Sequence, residues 1–139
     1  MYGAKPSLDD QNTQPVRTTK LLVVQAEARD QRLITEAIAS ADCEVVFRTA
    51  LNDLDLIKAE QFNALVINLL DVSGSALDVI GRIKECSPTT EVILISRSAD
   101  EALWLESIQR GAYECLSSPL DSKELRRIVL NALERNRPA

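Results

Sequence analysis

Asn68 closes a short uninterrupted apolar run, Ala64-Leu65-Val66-Ile67, and three other polar stretches fall at comparable points along the chain. Gln25-Ala26-Glu27 follows Leu21-Leu22-Val23-Val24, Ser96 ends Val92-Ile93-Leu94-Ile95, and Ser118-Pro119 comes just after Tyr113-Glu114-Cys115-Leu116. The chemistry open to this set is narrow. An amide such as Asn68 carries no charge and is a poor nucleophile, although it both donates and accepts hydrogen bonds. Glu27 is the one carboxylate among these residues. The chain has no histidine, which removes a catalytic triad, an imidazole base and most zinc or iron ligand sets. An enzymatic role is therefore not expected.

Composition excludes several other classes. A length of 139 residues suits one domain with room for a core. The formal net charge of −5 does not favour a general affinity for nucleic acid or an anionic membrane. Arg110, Lys123, Arg126, Arg127, Arg135 and Arg137 gather late in the chain and read as a solvated helix face. Cys43, Cys86 and Cys115 are an odd number at wide spacing, which fits a reduced cytoplasmic compartment better than a disulfide or metal framework. No run approaches the ~18 apolar residues that would span a membrane, and the start lacks an apolar signal core. No cofactor is implied, because Gly74, Gly81 and Gly111 are isolated and form no phosphate-cradling motif.

The elements that must position these residues follow from periodicity. Residues 1–19 carry Gly3, Pro6 and Pro15 without apolar periodicity and read as a disordered leader, with one domain over 20–137. Apolar runs predict parallel strands over 20–25, 44–47, 64–69, 91–96 and 113–116, with 20–25 and 64–69 read as buried. Between them lie helical spacings: Leu33, Ile34, Ala37, Ile38 and Ala41; Leu51, Leu54 and Ile57; Leu77, Ile80 and Ile83; and Leu125, Ile128, Val129, Ala132 and Leu133. Ser98-Ala99-Asp100-Glu101 and Asp121-Ser122-Lys123-Glu124 have capping-box spacing, and Gly111 suits a helix end. Five alternations of strand and helix predict an α/β, flavodoxin-like, doubly wound five-stranded parallel sheet of order 2-1-3-4-5 with helices on both faces. That order brings Gln25, Ala26, Glu27, Asn68, Ser96, Ser118 and Pro119 to one end of the sheet, where α/β chemistry is usually sited.

With these residues in place, the chain from Lys20 to about Arg135 resembles a receiver domain of bacterial two-component response regulators. The motifs that carry the likeness are Val23-Val24 before an acid-bearing loop, Ile93-Leu94-Ile95-Ser96, Arg110-Gly111-Ala112 and Ser118-Pro119-Leu120-Asp121. The resemblance implies an acceptor aspartate at the end of strand 3, two acids after strand 1 holding Mg²⁺, and a lysine before a proline after strand 5. Here those positions are Asn68, Gln25 with Ala26, and Ser118; Ser96 and Pro119 match. In the loop after Asn68 the usual proline is Val72, and the glycine before the third helix is Ala76. The expectation is a degenerate, or pseudo-, receiver that is not phosphorylated at the usual site and serves as a protein-interaction module.

Alternatives remain at this point. Asp71 is a candidate second acceptor for a conventional phosphorelay receiver, and with Glu27 it would make only a weak divalent site. The same crevice would also suit a small-molecule-binding flavodoxin-like domain. Ser118-Pro119 is a candidate for the cis peptide this family has at that place. Leu103, Trp104 and Leu105 are consecutive, and neighbours on a helix lie about 100° apart, so two are expected to face inward with Ile108 and at least one outward. Together with Cys115, at the strand-5 position where the resemblance implies a switching aromatic, they mark a candidate partner or dimer face. The partner classes implied are a sensor kinase, an effector domain or a second copy.

Overall fold

The computed structural model describes residues 18–51, 54–69 and 74–135. Its elements are β1 (Thr19–Val24), α1 (Ala28–Ala37), β2 (Cys43–Arg48), α2 (Asp55–Glu60), β3 (Ala64–Asn68), α3 (Gly74–Cys86), β4 (Glu91–Ser96), α4 (Glu101–Gln109), β5 (Glu114–Ser117) and α5 (Ser122–Arg135). The strands form one parallel sheet of order β2-β1-β3-β4-β5, as the alternation of elements predicts.

The unbroken apolar strands exist because the sheet is covered on both sides. Successive residues of a strand point to opposite faces. Leu21, Val23, Ala64, Val66, Ile93 and Ile95 therefore join one half of the core, closed by Ile34 and Ile38 beside α5 residues Leu125, Ile128, Val129, Ala132 and Leu133. Leu22, Val24, Leu65, Ile67, Val92 and Leu94 join the other, closed by Ile57, Leu77, Ile80, Ile83 and Leu103. All five residues of β3 are buried. Asn68, at its end, pairs in register with Ile95, and the Leu69 N–H donates to the Ile95 carbonyl at 2.8 Å. A fully packed central strand thus carries one polar side chain to a fixed place.

Several boundaries differ from the periodicity. Thr19 belongs to β1, paired with Cys43, and not to the leader, whose residues 1–17 lie outside the described set. The α1 helix stops at Ala37, although the apolar spacing continues to Ala41. The chain has to turn there to lay β2 beside β1: the Ala41 N–H donates to the Ile38 carbonyl at 2.9 Å, and the Thr19 N–H donates to the Asp42 carbonyl at 3.0 Å. Ser98 does not cap α4. Its N–H is held by Ser96 Oγ at 3.0 Å as part of the strand exit, and Asp100 caps instead, its carboxylate accepting the Leu103 N–H at 2.8 Å. Asp121 does precede α5 and accepts the Lys123 N–H at 3.4 Å. Gly111, at φ +108°, ends the α4 turn in a conformation that side chains strain to adopt.

The apolar triplet on α4 also departs from expectation. Only Leu103 is buried, while Trp104 and Leu105 are 43% and 49% exposed. The inward stripe runs from Leu103 to Ser107, one turn later. Ser107 is buried, and its hydroxyl is satisfied by donating to the Trp104 carbonyl at 2.8 Å, so a serine shares the inward stripe with Leu103 while Trp104 and Leu105 face outward. Cys115 is buried too. Leu103 and Cys115 therefore belong to the core and not to an exposed partner face, which is left to Trp104 and Leu105.

Candidate functional site

The carboxyl ends of β1, β3, β4 and β5 do converge. A cleft of about 260 Å³ is lined by Glu27, Asn68, Leu69, Ser96, Arg97, Ser98 and Ser118. Gln25 and Ala26 line an adjoining groove of about 320 Å³ with Gln31, Phe47, Arg48 and Thr49. Asp71 lies outside the described residues.

Asn68 is not idle in this cleft. Its Nδ2 donates to the Gln25 carbonyl at 3.3 Å, and Gln25 Nε2 donates back to the Asn68 carbonyl at 3.4 Å. Gln25 reaches this position with φ +62°, a left-handed conformation uncommon for a residue with a side chain. Its backbone N–H continues the ladder to the Arg48 carbonyl at 2.9 Å. Two reciprocal bonds thus clasp the end of β3 to the end of β1. The clasp needs a donor at position 68, which an ionised carboxylate lacks.

The remaining groups are similarly engaged. Ser96 is fully buried and accepts the Ser98 N–H; the Ser118 N–H donates to the Ser96 carbonyl at 3.0 Å, and the Ser118–Pro119 peptide is cis. Glu27 precedes α1 without capping it and pairs with Arg97 at 2.8 Å across the mouth of the cleft. Sequence reasoning missed Arg97, although its place directly after the strand-ending Ser96 was the available signal. It also missed Asp30, which looks like an ordinary helix-surface acid yet is 2% exposed with Oδ2 unpartnered. Burial first, and the Glu27 charge second, push its carboxyl above the usual range.

The donor set does not fit the Mg²⁺ that the resemblance implies. Gln25 turns its amide nitrogen to a carbonyl, Ala26 has no side-chain ligand atom and its carbonyl accepts from Gln31 Nε2, and Glu27 is paired with a guanidinium, whereas Mg²⁺ is held through carboxylates and oxygen ligands. Among the described residues no group of three or more His, Cys, Asp or Glu side chains is placed to hold a metal ion. Serine hydroxyls become effective nucleophiles only beside a base, and neither Ser96 nor Ser118 is hydrogen-bonded to one among these contacts. The geometry suits hydrogen-bonded cohesion of the sheet end.

A second surface lies over α4 and β5. Trp104 Nε1 donates to Glu114 Oε1 at 2.6 Å, and the same oxygen accepts the Cys115 N–H at 3.0 Å. The polar edge of the indole is satisfied within the chain, which leaves its apolar body, with Leu105, facing outward. Beneath it the buried Cys115 thiol is raised above its ordinary pKa by desolvation, the behaviour of a core residue. Among the described residues no helix is long and apolar enough to cross a membrane.

No family model matches the chain. It is 30% identical over 121 residues to the DNA-binding transcriptional regulator NtrC of Azospirillum brasilense, across 85% of this chain and 25% of that protein. The chain spans about a quarter of the length of the curated relatives it matches. Among solved structures it superposes on a response regulator from Thermotoga maritima with a TM-score of 0.75 at 19% identity, over 84% of this chain and 98% of that one. It superposes on the beryllofluoride-activated NtrC4 receiver domain dimer with a TM-score of 0.71 at 24% identity, over 83% and 96%. The chain is a receiver-fold domain, built on the scaffold of response regulators and similar to them in sequence.

Proposed function

We propose that the chain is a non-enzymatic, cytoplasmic pseudo-receiver: a signalling module that recognises a protein partner without passing through an aspartyl phosphate. The observation that carries this reading is the clasp in which Asn68 donates to the Gln25 carbonyl. The position that would bear a nucleophilic carboxylate is occupied by an amide with a structural task of its own. Ser118 in place of a lysine and Glu27 bound to Arg97 support the same reading. The test is titration with beryllofluoride and Mg²⁺ while recording amide spectra. The resonances of Asn68, Ser96 and Ser118 are expected to stay in place, and saturable shifts there would overturn the proposal.

Trp104 and Leu105 are the residues we assign to partner docking, since exposed aromatic and aliphatic side chains that lie together mark interaction sites. A solved neighbour is described as a receiver domain dimer, which supports a second copy as the occupant. Light scattering at raised concentration is expected to give a mass above the 15.4 kDa monomer, returning to it in Leu105→Asp. A mass of 15.4 kDa for both proteins would overturn a second copy as the occupant.

A further inference from the structure

Asp30 has no part in the site described so far, and its surroundings are unusual for an acid. It sits in the first turn of α1 on the inward stripe it shares with Ile34 and Ala37. It is 2% exposed, and Oδ2 has no hydrogen-bond partner. An ionised carboxylate in such a place is unfavourable unless a cation reaches it. The charged groups that act on it are Glu27 just before α1, Arg29 on α1 and Arg97 from the connection after β4. The β1 strand behind α1 contributes apolar Leu21 and Val23, and α5 turns Leu125, Ile128 and Val129 inward. Its basic residues Lys123 and Arg126 line a groove further along, beside Leu33, Glu36 and Ala37.

Arg97 holds Glu27 through an ion pair whose side chains are 76% and 50% exposed. A pair so open to water is weak and easily exchanged. Glu27 directly precedes α1 and Asp30 lies in its first turn, and Arg97, which holds Glu27, also acts on the Asp30 charge. A guanidinium presents five donors in a planar fork and can serve two carboxylates at once.

We propose that Arg97 is the shared cation of a pH-operated clasp: with Asp30 neutral it keeps the pairing with Glu27, and when Asp30 ionises it is drawn toward that buried carboxylate, pulling the connection between β4 and α4 onto the start of α1. The proton leaves Asp30 to solvent, and no bond other than O–H is broken. The raised affinity of Asp30 for its proton moves this exchange above the ordinary aspartate range. The clasp sits at the rim of the cleft that contains Asn68 but needs nothing from the phosphate-independent reading, so either can fail without the other.

The experiment follows the Asp30 carboxyl carbon, the Arg97 side-chain nitrogen and the Ser96–Ala99 amides of the intact chain by NMR between pH 3 and 8. A common midpoint is expected for Asp30, Arg97 and these amides. Asp30→Asn is expected to abolish the transition at Arg97 and in the amides. Glu27→Gln, at an exposed position that leaves the core untouched, is expected to move the Asp30 midpoint down, because a repelling charge is removed and Arg97 is released. An Arg97 response that survives Asp30→Asn, an Asp30 titration that leaves Arg97 and the loop unmoved, or a midpoint unchanged by Glu27→Gln would each overturn the clasp.

Discussion

Asn68→Asp is expected to weaken the fold at neutral pH by about 2–3 kcal/mol, the scale for stranding a buried polar group next to a like acceptor, and to gain no phosphoryl group. Asn68 is 6% exposed, and its Nδ2 donates to the Gln25 carbonyl. The introduced carboxylate would set an oxygen against that carbonyl oxygen. The sign with pH follows from linkage. Burial raises the folded-state pKa of the new group above its unfolded value, so the folded protein binds the extra proton more tightly. The protonated acid can donate to Gln25 and regain the bond, which makes the penalty small below the unfolded value and lets it grow as pH rises through the folded one. Urea melts at pH 4 and pH 7 check this, since the deficit should be largely confined to pH 7. Phosphodonor treatment should leave the mass unchanged, because Gln25 and Ala26 supply no carboxylates and Ser118 no cation. An equal deficit at both pH values, or a ready phospho-form, would contradict the account of the clasp.

Leu94→Ala is expected to be the more damaging of the two at any pH. Leu94 lies on β4 with no exposed surface, in the core half that also holds Leu65, Ile67, Leu77, Ile80 and Cys115. Truncating a leucine in such a place removes its transfer free energy and leaves a cavity, together about 3–5 kcal/mol. That is a large part of the roughly 5–15 kcal/mol that holds a domain folded, and it corresponds to a melting temperature lower by about 10–20 °C at this size. Calorimetry of the variant measures it. A loss below about 1 kcal/mol would mean that the layer between β4 and α3 is not packed as described.

The sheet was legible because a parallel strand covered on both faces leaves a direct trace, an apolar run without alternation, and β1, β3 and β4 each have one. Order and crossover hand then follow from general rules of α/β folds. The convergence of Asn68, Ser96 and Ser118 followed from the same reasoning. What was not legible depends on details that residue type does not encode. Nothing about a glutamine announces φ +62° at Gln25, yet the clasp with Asn68 depends on it. Asp30 reads as a solvent-facing charge on an amphipathic helix, and only the packing of α1 shows it buried. Ser98 and Asp100 are both good caps by type, and the choice between them was settled by the bond from Ser98 back to Ser96. At α4, spacing could not say that a serine would take the inward position and turn Trp104 and Leu105 to water.

The outward-facing indole has one more consequence. Trp104 is the chain's single tryptophan, so all of its tryptophan emission originates from one spot on the α4–β5 face. With Nε1 held by a carboxylate and 43% of the residue in contact with water, that emission belongs at the red end of the native range. Any complex that covers the face will move it to shorter wavelength without an attached dye. The molecule carries a built-in optical label for occupancy of this face, and events confined to the Asn68 end of the sheet should leave its colour untouched.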